Sequence, residues 1–156
     1  MHSEVDIVLI EDNPADAELT MHALRRNKVA NRVQLLHDGE EALEYLFREG
    51  QFAARPASAP PKLILLDLKL PKLDGLDVLR RLKSDERTRK IPVVILTCSN
   101  EEVDMVKSYE LGVNSYIRKP VEFREFLEMV KEVGLYWLVV NQPPPANSRP
   151  SSAAQV

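Results

Sequence analysis

Short aliphatic runs, each followed by a polar residue, are the feature that most limits how this chain can fold. The strongest runs lie at 5–10, 63–66 and 91–96, and two weaker ones lie at 32–36 and 114–118. Continuous apolar runs of this length are typical of strands that are buried on both faces, as in a parallel sheet. The runs therefore predict five strands inside a sheet that is covered on both sides.

Segments with helical periodicity separate these strands. They cover 14–27, 40–49, 75–83, 100–111 and 122–139, and Gly112 is expected to cap the fourth helix. Strands that alternate with helices predict an α/β fold, a doubly wound parallel sheet with right-handed crossovers. We expect the flavodoxin-like strand order 2-1-3-4-5, which is one of the two common solutions.

Composition and charge narrow the class of protein. The chain has 156 residues, enough for one domain, and its 44% hydrophobic and 29% charged content is ordinary for a globular protein. A net charge of −3 offers no basic surface for nucleic acid. No apolar run reaches the ~18 residues that cross a bilayer, no secretory signal is visible, and the single cysteine fits a reducing compartment. We therefore expect a cytoplasmic protein without nucleic-acid or membrane partners.

The 11 prolines indicate where the domain ends. Four of them lie between residues 143 and 150 among Asn, Ser, Ala and Gln, without apolar periodicity, which is typical of a solvated tail. Three others mark a loop over 50–61. We predict one domain over 5–140 and a flexible proline-rich tail over 141–156, which is too short for a DNA-binding unit.

Polar side chains follow four of the predicted strands: Glu11 and Asp12 after the first, Asp67 after the third, Thr97 after the fourth and Lys119 after the fifth. In an open parallel sheet the ligand site lies at this edge, near the switch in strand order. Three carboxylates there repel one another unless a cation neutralises them. Oxygen ligands favour Mg²⁺ or Mn²⁺ over zinc, and Lys119 supplies an ammonium group.

Each of these residues alone has an ordinary explanation. Asp12 could cap a helix, Thr97 could end a strand or cap the next helix, and Lys119 could be a solvated surface charge. Their joint occurrence at the ends of four strands favours a shared functional site.

Together these motifs resemble the CheY-like receiver domain of two-component response regulators. The resemblance covers 5–139 and is carried by residues 8–13, 65–71, 74–75, 94–97 and 116–120. The sequence is similar in particular to the small regulators that partner phytochrome kinases, through residues 11–16, the loop before strand 3, 108–112 and 136–138.

The resemblance implies a site for phosphoryl transfer. Asp67 would accept a phosphoryl group from a sensor histidine kinase, which for this subgroup would be a bacteriophytochrome. Glu11, Asp12, Asp67 and the backbone carbonyl of Lys69 would hold Mg²⁺ or Mn²⁺. The protein would then be a single-domain switch and not an enzyme, beyond self-catalysed phosphotransfer and hydrolysis of its own aspartyl phosphate.

A conformational switch is also implied by the resemblance. Thr97 and Lys119 would bind the phosphoryl oxygens, and the peptide bond between Lys119 and Pro120 would be cis. Inward movement of Thr97 would let Tyr116 rotate, which would bias two pre-existing states. Cys98, the residue after Thr97, is interpreted as a packing residue.

The end of the last predicted helix is apolar around more than one stripe, which is more than a helix on a sheet needs. Such a surplus favours a homodimer built on the fifth strand and helix. The candidate interface residues are Tyr116, Ile117, Leu135, Tyr136, Trp137 and Leu138.

Three other functions compete with this one. A haloacid dehalogenase-type phosphatase needs a second acid two residues after Asp67, where Lys69 stands. A flavodoxin-like FMN carrier needs a phosphate loop after the first strand, where Glu11 and Asp12 would repel phosphate. A receiver that is not phosphorylated and acts only as a protein-binding module stays open, although the complete acid set argues against it.

Overall fold

Five parallel strands form one sheet in the order β2-β1-β3-β4-β5, as the sequence predicted. The computed structural model describes residue 5 and residues 7–26, 32–56 and 60–132. The strands are β1 (Ile7–Ile10), β2 (Val33–Leu36), β3 (Leu63–Asp67), β4 (Val93–Thr97) and β5 (Ser115–Arg118). The flavodoxin-like fold class is therefore confirmed.

Helices connect successive strands and cover both faces of the sheet. They are α1 (Pro14–Arg26), α2 (Gly39–Phe47), α3 (Gly75–Lys83), α4 (Asn100–Ser108) and α5 (Phe123–Glu132), with a 3₁₀ turn at Gly50–Phe52. Within the described part of the chain, no helix is both long and apolar enough to cross a membrane.

Two separate cores explain why the strands read as continuous apolar runs. Alternate residues of a strand point to opposite faces of the sheet. Val8 and Ile10 of β1 pack in a first core with α2, α3 and α4, whereas Ile7 and Leu9 pack in a second core with α1 and α5. Every residue of β1 is fully buried, so the strand cannot carry a polar residue until it leaves the sheet.

Several element boundaries differ from the predictions by one to three residues, and those of β4 and α4 are among them. β4 begins at Val93 and not at residue 91, because Pro92 has no N–H for the ladder; its carbonyl still accepts from the Ile64 N–H at 2.9 Å. α4 ends at Ser108 with Tyr109 as its C-cap. Gly112 is therefore not the cap, and its positive φ of 78° belongs to the turn that leads into β5.

Some predictions fall on residues that the structure does not describe. The fifth helix was expected to continue to residue 139, but its described part ends at Glu132. The interface candidates Leu135, Tyr136, Trp137 and Leu138 and the proposed tail over 141–156 lie outside the described residues. These assignments stay predictions.

Candidate functional site

Three carboxylates meet at the carboxyl edge of the sheet. Because Ile10 pairs with Leu66, the residues that follow β1 lie beside the end of β3. Glu11, Asp12 and Asp67 each place one carboxylate oxygen within 4.8 Å of the others. Glu11 and Asp67 are buried, and Asp12 is exposed. The sequence prediction that these acids share one cleft agrees with this geometry.

Lys119 brings an ammonium group into the acid cluster. Its Nζ lies 3.0 Å from Glu11 Oε1, 3.3 Å from Asp67 Oδ2 and 2.9 Å from Asp16 Oδ2. The peptide bond between Lys119 and Pro120 is cis. One lysine therefore contacts three carboxylates from β3, α1 and the loop after β1.

The charge balance of this cluster perturbs two pKa values. Burial, together with the neighbouring Asp67, raises the pKa of Glu11 to about 7, and Lys119 opposes this shift. Burial acts to lower the pKa of Lys119, but its contacts with Asp16, Glu11 and Asp67 leave that pKa raised above the ordinary value. The ammonium stays charged, while Glu11 binds a proton more readily than an exposed carboxyl group.

The donor set fits a hard divalent cation. All three candidate ligands offer carboxylate oxygens, which Mg²⁺ and Mn²⁺ prefer. Glu11 is fully buried and retains a raised pKa despite Lys119, so the cluster has negative charge that a further cation would stabilise. Lys69 donates its N–H to Asp67 Oδ1 at 3.3 Å, and the metal role of its carbonyl stays a prediction.

Thr97 is buried at the end of β4, but its hydroxyl is engaged in the loop that follows. Its Oγ1 lies 2.8 Å from the Ser99 carbonyl oxygen and 2.8 Å from Glu102 Oε1. The Ser99 N–H donates back to the same hydroxyl at 3.1 Å. The structure therefore shows Thr97 hydrogen-bonded to α4 and its N-terminal loop.

Two acidic residues that contact this site were missed by sequence reasoning. Asp16 in α1 pairs with Lys119, and Glu102 in α4 contacts Thr97 and, at 3.4 Å, the Lys69 ammonium. Burial raises the pKa of Glu102, but hydrogen bonds from Cys98 N–H and Thr97, with Lys69, bring it below its usual value. The only sequence signal for Glu102 is the Ser99-x-x-Glu102 pattern, which is typical of a helix cap.

The structure also locates Tyr116, Ile117 and Cys98, for which the sequence predicted a switch role, a dimer contact and a packing role. Tyr116 is half-buried on β5 and packs against the first core, with the Lys107 ammonium 5.9 Å from its ring centre. Ile117 is wrong as an interface candidate, because it is 3% exposed and packs in the second core. The packing interpretation of Cys98 is also wrong, since this residue is exposed.

Comparison with known proteins identifies the family to which the chain belongs. The family described as the response regulator receiver domain matches residues 7–131. The chain therefore belongs to this family, and it is a signalling protein rather than an enzyme, as its relatives named as response regulators are.

Two curated relatives align over most of the chain. The probable methanogenesis regulatory protein FilR2 of Methanothrix harundinacea is 43% identical over 139 residues, which are 88% of this chain and 86% of that protein. The response regulator Rcp1 of Synechocystis sp. is 39% identical over 132 residues, which are 85% of this chain and 88% of that protein.

Solved structures that are similar to this chain include response regulators of phytochromes. The bacteriophytochrome response regulator RtBRR has a TM-score of 0.82 at 52% identity, covering 92% of this chain and 86% of that chain. Mn²⁺-bound Rcp1 has a TM-score of 0.68 at 37% identity, with coverage of 91% and 100%. The phosphorylated cyanobacterial phytochrome response regulator RcpA has a TM-score of 0.69 at 41% identity, with coverage of 92% and 100%. The predicted resemblance to phytochrome-associated regulators is confirmed.

Proposed function

We propose that this chain is a single-domain response regulator that accepts a phosphoryl group on Asp67 from a sensor histidine kinase. The observation that carries the proposal is the Lys119 ammonium, which lies between Glu11 and Asp67 at the edge of the sheet. Asp67 is 6% exposed, so water screens this contact poorly. The Mn²⁺-bound Rcp1 and the phosphorylated RcpA support a metal-dependent phosphoacceptor site in this family.

The chemistry follows from these side chains. A carboxylate oxygen of Asp67 attacks the phosphorus of the kinase phosphohistidine, the phosphorus–nitrogen bond breaks, and the imidazole leaves with the bonding electrons. Lys119 binds the phosphoryl oxygens as their charge shifts, since such transfers depend on positioning and charge neutralisation. A divalent cation held by Glu11, Asp12 and Asp67 supplies further positive charge at the same oxygens when it is bound.

We also propose a switch, a class of kinase and a homodimer. Thr97 would leave its loop partners to bind the phosphoryl group, and Tyr116 would change position in response.

The similarity to RtBRR and RcpA supports a bacteriophytochrome kinase, whereas FilR2 is named for a different regulatory role. The homodimer would use the face formed by β5 and α5, and Tyr116 is the remaining interface candidate among the residues that the structure describes. The cytoplasmic location stays a prediction.

Labelling with acetyl phosphate tests the phosphoacceptor assignment. We expect Mg²⁺-dependent incorporation of phosphoryl groups, because Asp67 lies at the carboxyl edge of the sheet with the Lys119 ammonium 3.3 Å away. Borohydride reduction followed by peptide mass spectrometry should convert Asp67 alone to homoserine, and EDTA should prevent the conversion. Modification of another residue, or none in the presence of Mg²⁺, would contradict the proposal and favour the protein-binding module.

The affinity for Mg²⁺ should depend on pH. The pKa of Glu11 is raised to about 7, so below that pH the metal must displace a proton, and its affinity should fall by up to about tenfold per pH unit. Calorimetric titrations between about pH 5.5 and about pH 8.5 measure this slope. In the control Glu11→Gln no proton is displaced there, so binding should be weaker and much less dependent on pH. An equal slope in both proteins would contradict the assignment of Glu11 as a ligand.

A further inference from the structure

Glu102 departs from the helix cap that its sequence predicts. In a capping box the acidic side chain bonds the backbone N–H of the cap residue. Ser99 does accept from the Glu102 N–H at 3.3 Å, but the Ser99 N–H donates to Thr97 Oγ1 instead of to Glu102. The Glu102 carboxylate extends one residue further, to the Cys98 N–H at 3.0 Å and the Thr97 hydroxyl at 2.8 Å.

This contact limits what the Thr97 hydroxyl can do. A hydroxyl group has one proton to donate, and both of its acceptors, Glu102 Oε1 and the Ser99 carbonyl, belong to the β4–α4 segment. Of these two, the carboxylate is the stronger acceptor. The same proton cannot be donated to Glu102 and to a phosphoryl oxygen on Asp67 at once.

The second oxygen of Glu102 connects the start of α4 to the loop after β3. Glu102 Oε2 lies 3.4 Å from the ammonium of Lys69, the residue whose N–H donates to Asp67. The Glu102 side chain is 14% exposed and that of Lys69 is 78% exposed, so the carboxylate is the buried member of this pair. Loss of Glu102 would release Thr97 and Lys69 together.

We propose that Glu102 is a positioning residue that holds the Thr97 hydroxyl in the unphosphorylated protein. This proposal rests on the proposed function, because Glu102 would compete with the phosphoryl group on Asp67 for the Thr97 hydroxyl. Phosphorylation of Asp67 must break this hydrogen bond, because the phosphoryl oxygens and Glu102 require the same donor. The first turn of α4 then loses a side-chain contact, which transmits the event to the surface of that helix. Glu102 thereby sets how far the resting protein lies from its active state.

Binding of beryllofluoride, an analogue of the phosphoryl group, measures this competition in the presence of Mg²⁺. Glu102→Ala should lower the half-saturating concentration by about tenfold, because a charge-assisted hydrogen bond no longer has to be broken. The matched control is Glu101→Ala, which removes the neighbouring exposed carboxylate from the same first helical turn. It removes the same charge from the N-terminus of the helix but keeps the hydrogen bond between Thr97 and Glu102. It should therefore leave the half-saturating concentration within about twofold.

A double-mutant comparison separates this role from helix capping. In a Thr97→Val background, the substitution Glu102→Ala should no longer change the half-saturating concentration, because the shared donor is absent. A cap alone would act equally with and without the Thr97 hydroxyl. Should Glu102→Ala fail to fold, Glu102→Gln keeps a neutral acceptor and should show a smaller shift in the same direction.

Failure of this inference differs from failure of the proposed function. If the wild-type protein does not bind beryllofluoride with Mg²⁺, the phosphoacceptor assignment itself fails. If the wild type binds it, and Glu102→Ala binds it equally or more weakly, only the role of Glu102 is wrong. The same is true if the effect of Glu102→Ala persists in the Thr97→Val background.

Discussion

Replacing Lys119 with methionine should slow the labelling of Asp67 by acetyl phosphate about a hundredfold. This is the usual loss of rate when one hydrogen-bond donor that stabilises the charge of a transition state is removed. The Lys119 ammonium contacts Asp67 at 3.3 Å and its side chain is only 11% exposed, so water screens it poorly. Methionine has a similar length and fills the space without the charge. Initial rates of labelling, with Asp67→Asn as the blank, measure the effect.

Loss of Lys119 should not act through loss of the metal. Lys119 and a divalent cation neutralise the same carboxylates, and removing the ammonium leaves Glu11 and Asp67 with more uncompensated negative charge. The affinity for Mg²⁺ should therefore stay equal or rise in Lys119→Met, which calorimetry can measure. Lys72→Met, at an exposed lysine that pairs with Asp38 and Glu40, should label like the wild type. A Lys119→Met rate within about threefold of the wild type would contradict the role of the ammonium.

The sheet could be predicted because its physical requirements are local. A strand buried on both faces needs every residue to be apolar, as Ile7 and Val8 show by entering different cores. The same rule explains why the chain becomes polar where it reaches the edge of the sheet, at Glu11, just after β1, and at Asp67, the last residue of β3. The carboxyl edge of the sheet therefore appeared in the sequence as a series of abrupt changes from apolar to polar.

The contacts that tune the site could not be predicted in this way. Asp16 and Glu102 lie on helices, where an acid in the first turn is usually explained by the helix dipole. Lys119 is brought to Asp16 by the packing of elements that are far apart in the sequence, which no local pattern encodes. Glu102 is close to Thr97 in the sequence, but its side chain departs from the capping-box contact that the local pattern predicts. Helix ends were equally hard to locate, because Gly112 has the positive φ of a cap although α4 already ends at Ser108.

Gly75→Ala should lower the free energy of unfolding by about 3 kcal/mol, the upper part of the usual range for overpacking. Gly75 is the first residue of α3, and its N–H donates to the Leu68 carbonyl at 2.8 Å. A Cβ at this position would lie 2.4 Å from the Asp67 carbonyl oxygen and 2.5 Å from Leu68 Cα. These are backbone atoms, so no side chain can rotate away, and the helix must move from the strand end that carries Asp67.

Gly112→Ala is the matched control for this substitution. Gly112 has a φ of 78°, which costs an alanine about 1 kcal/mol, but no atom lies within 4 Å of its added Cβ. Helix propensity alone would make Gly75→Ala stabilising by up to about 1 kcal/mol, so chemical denaturation of both variants separates backbone preference from close approach. We expect Gly75→Ala to be the less stable of the two and to label more slowly where it is still folded, because Asp67 is displaced. A Gly75→Ala variant as stable as the wild type would mean that α3 can move away from the phosphoacceptor strand without cost.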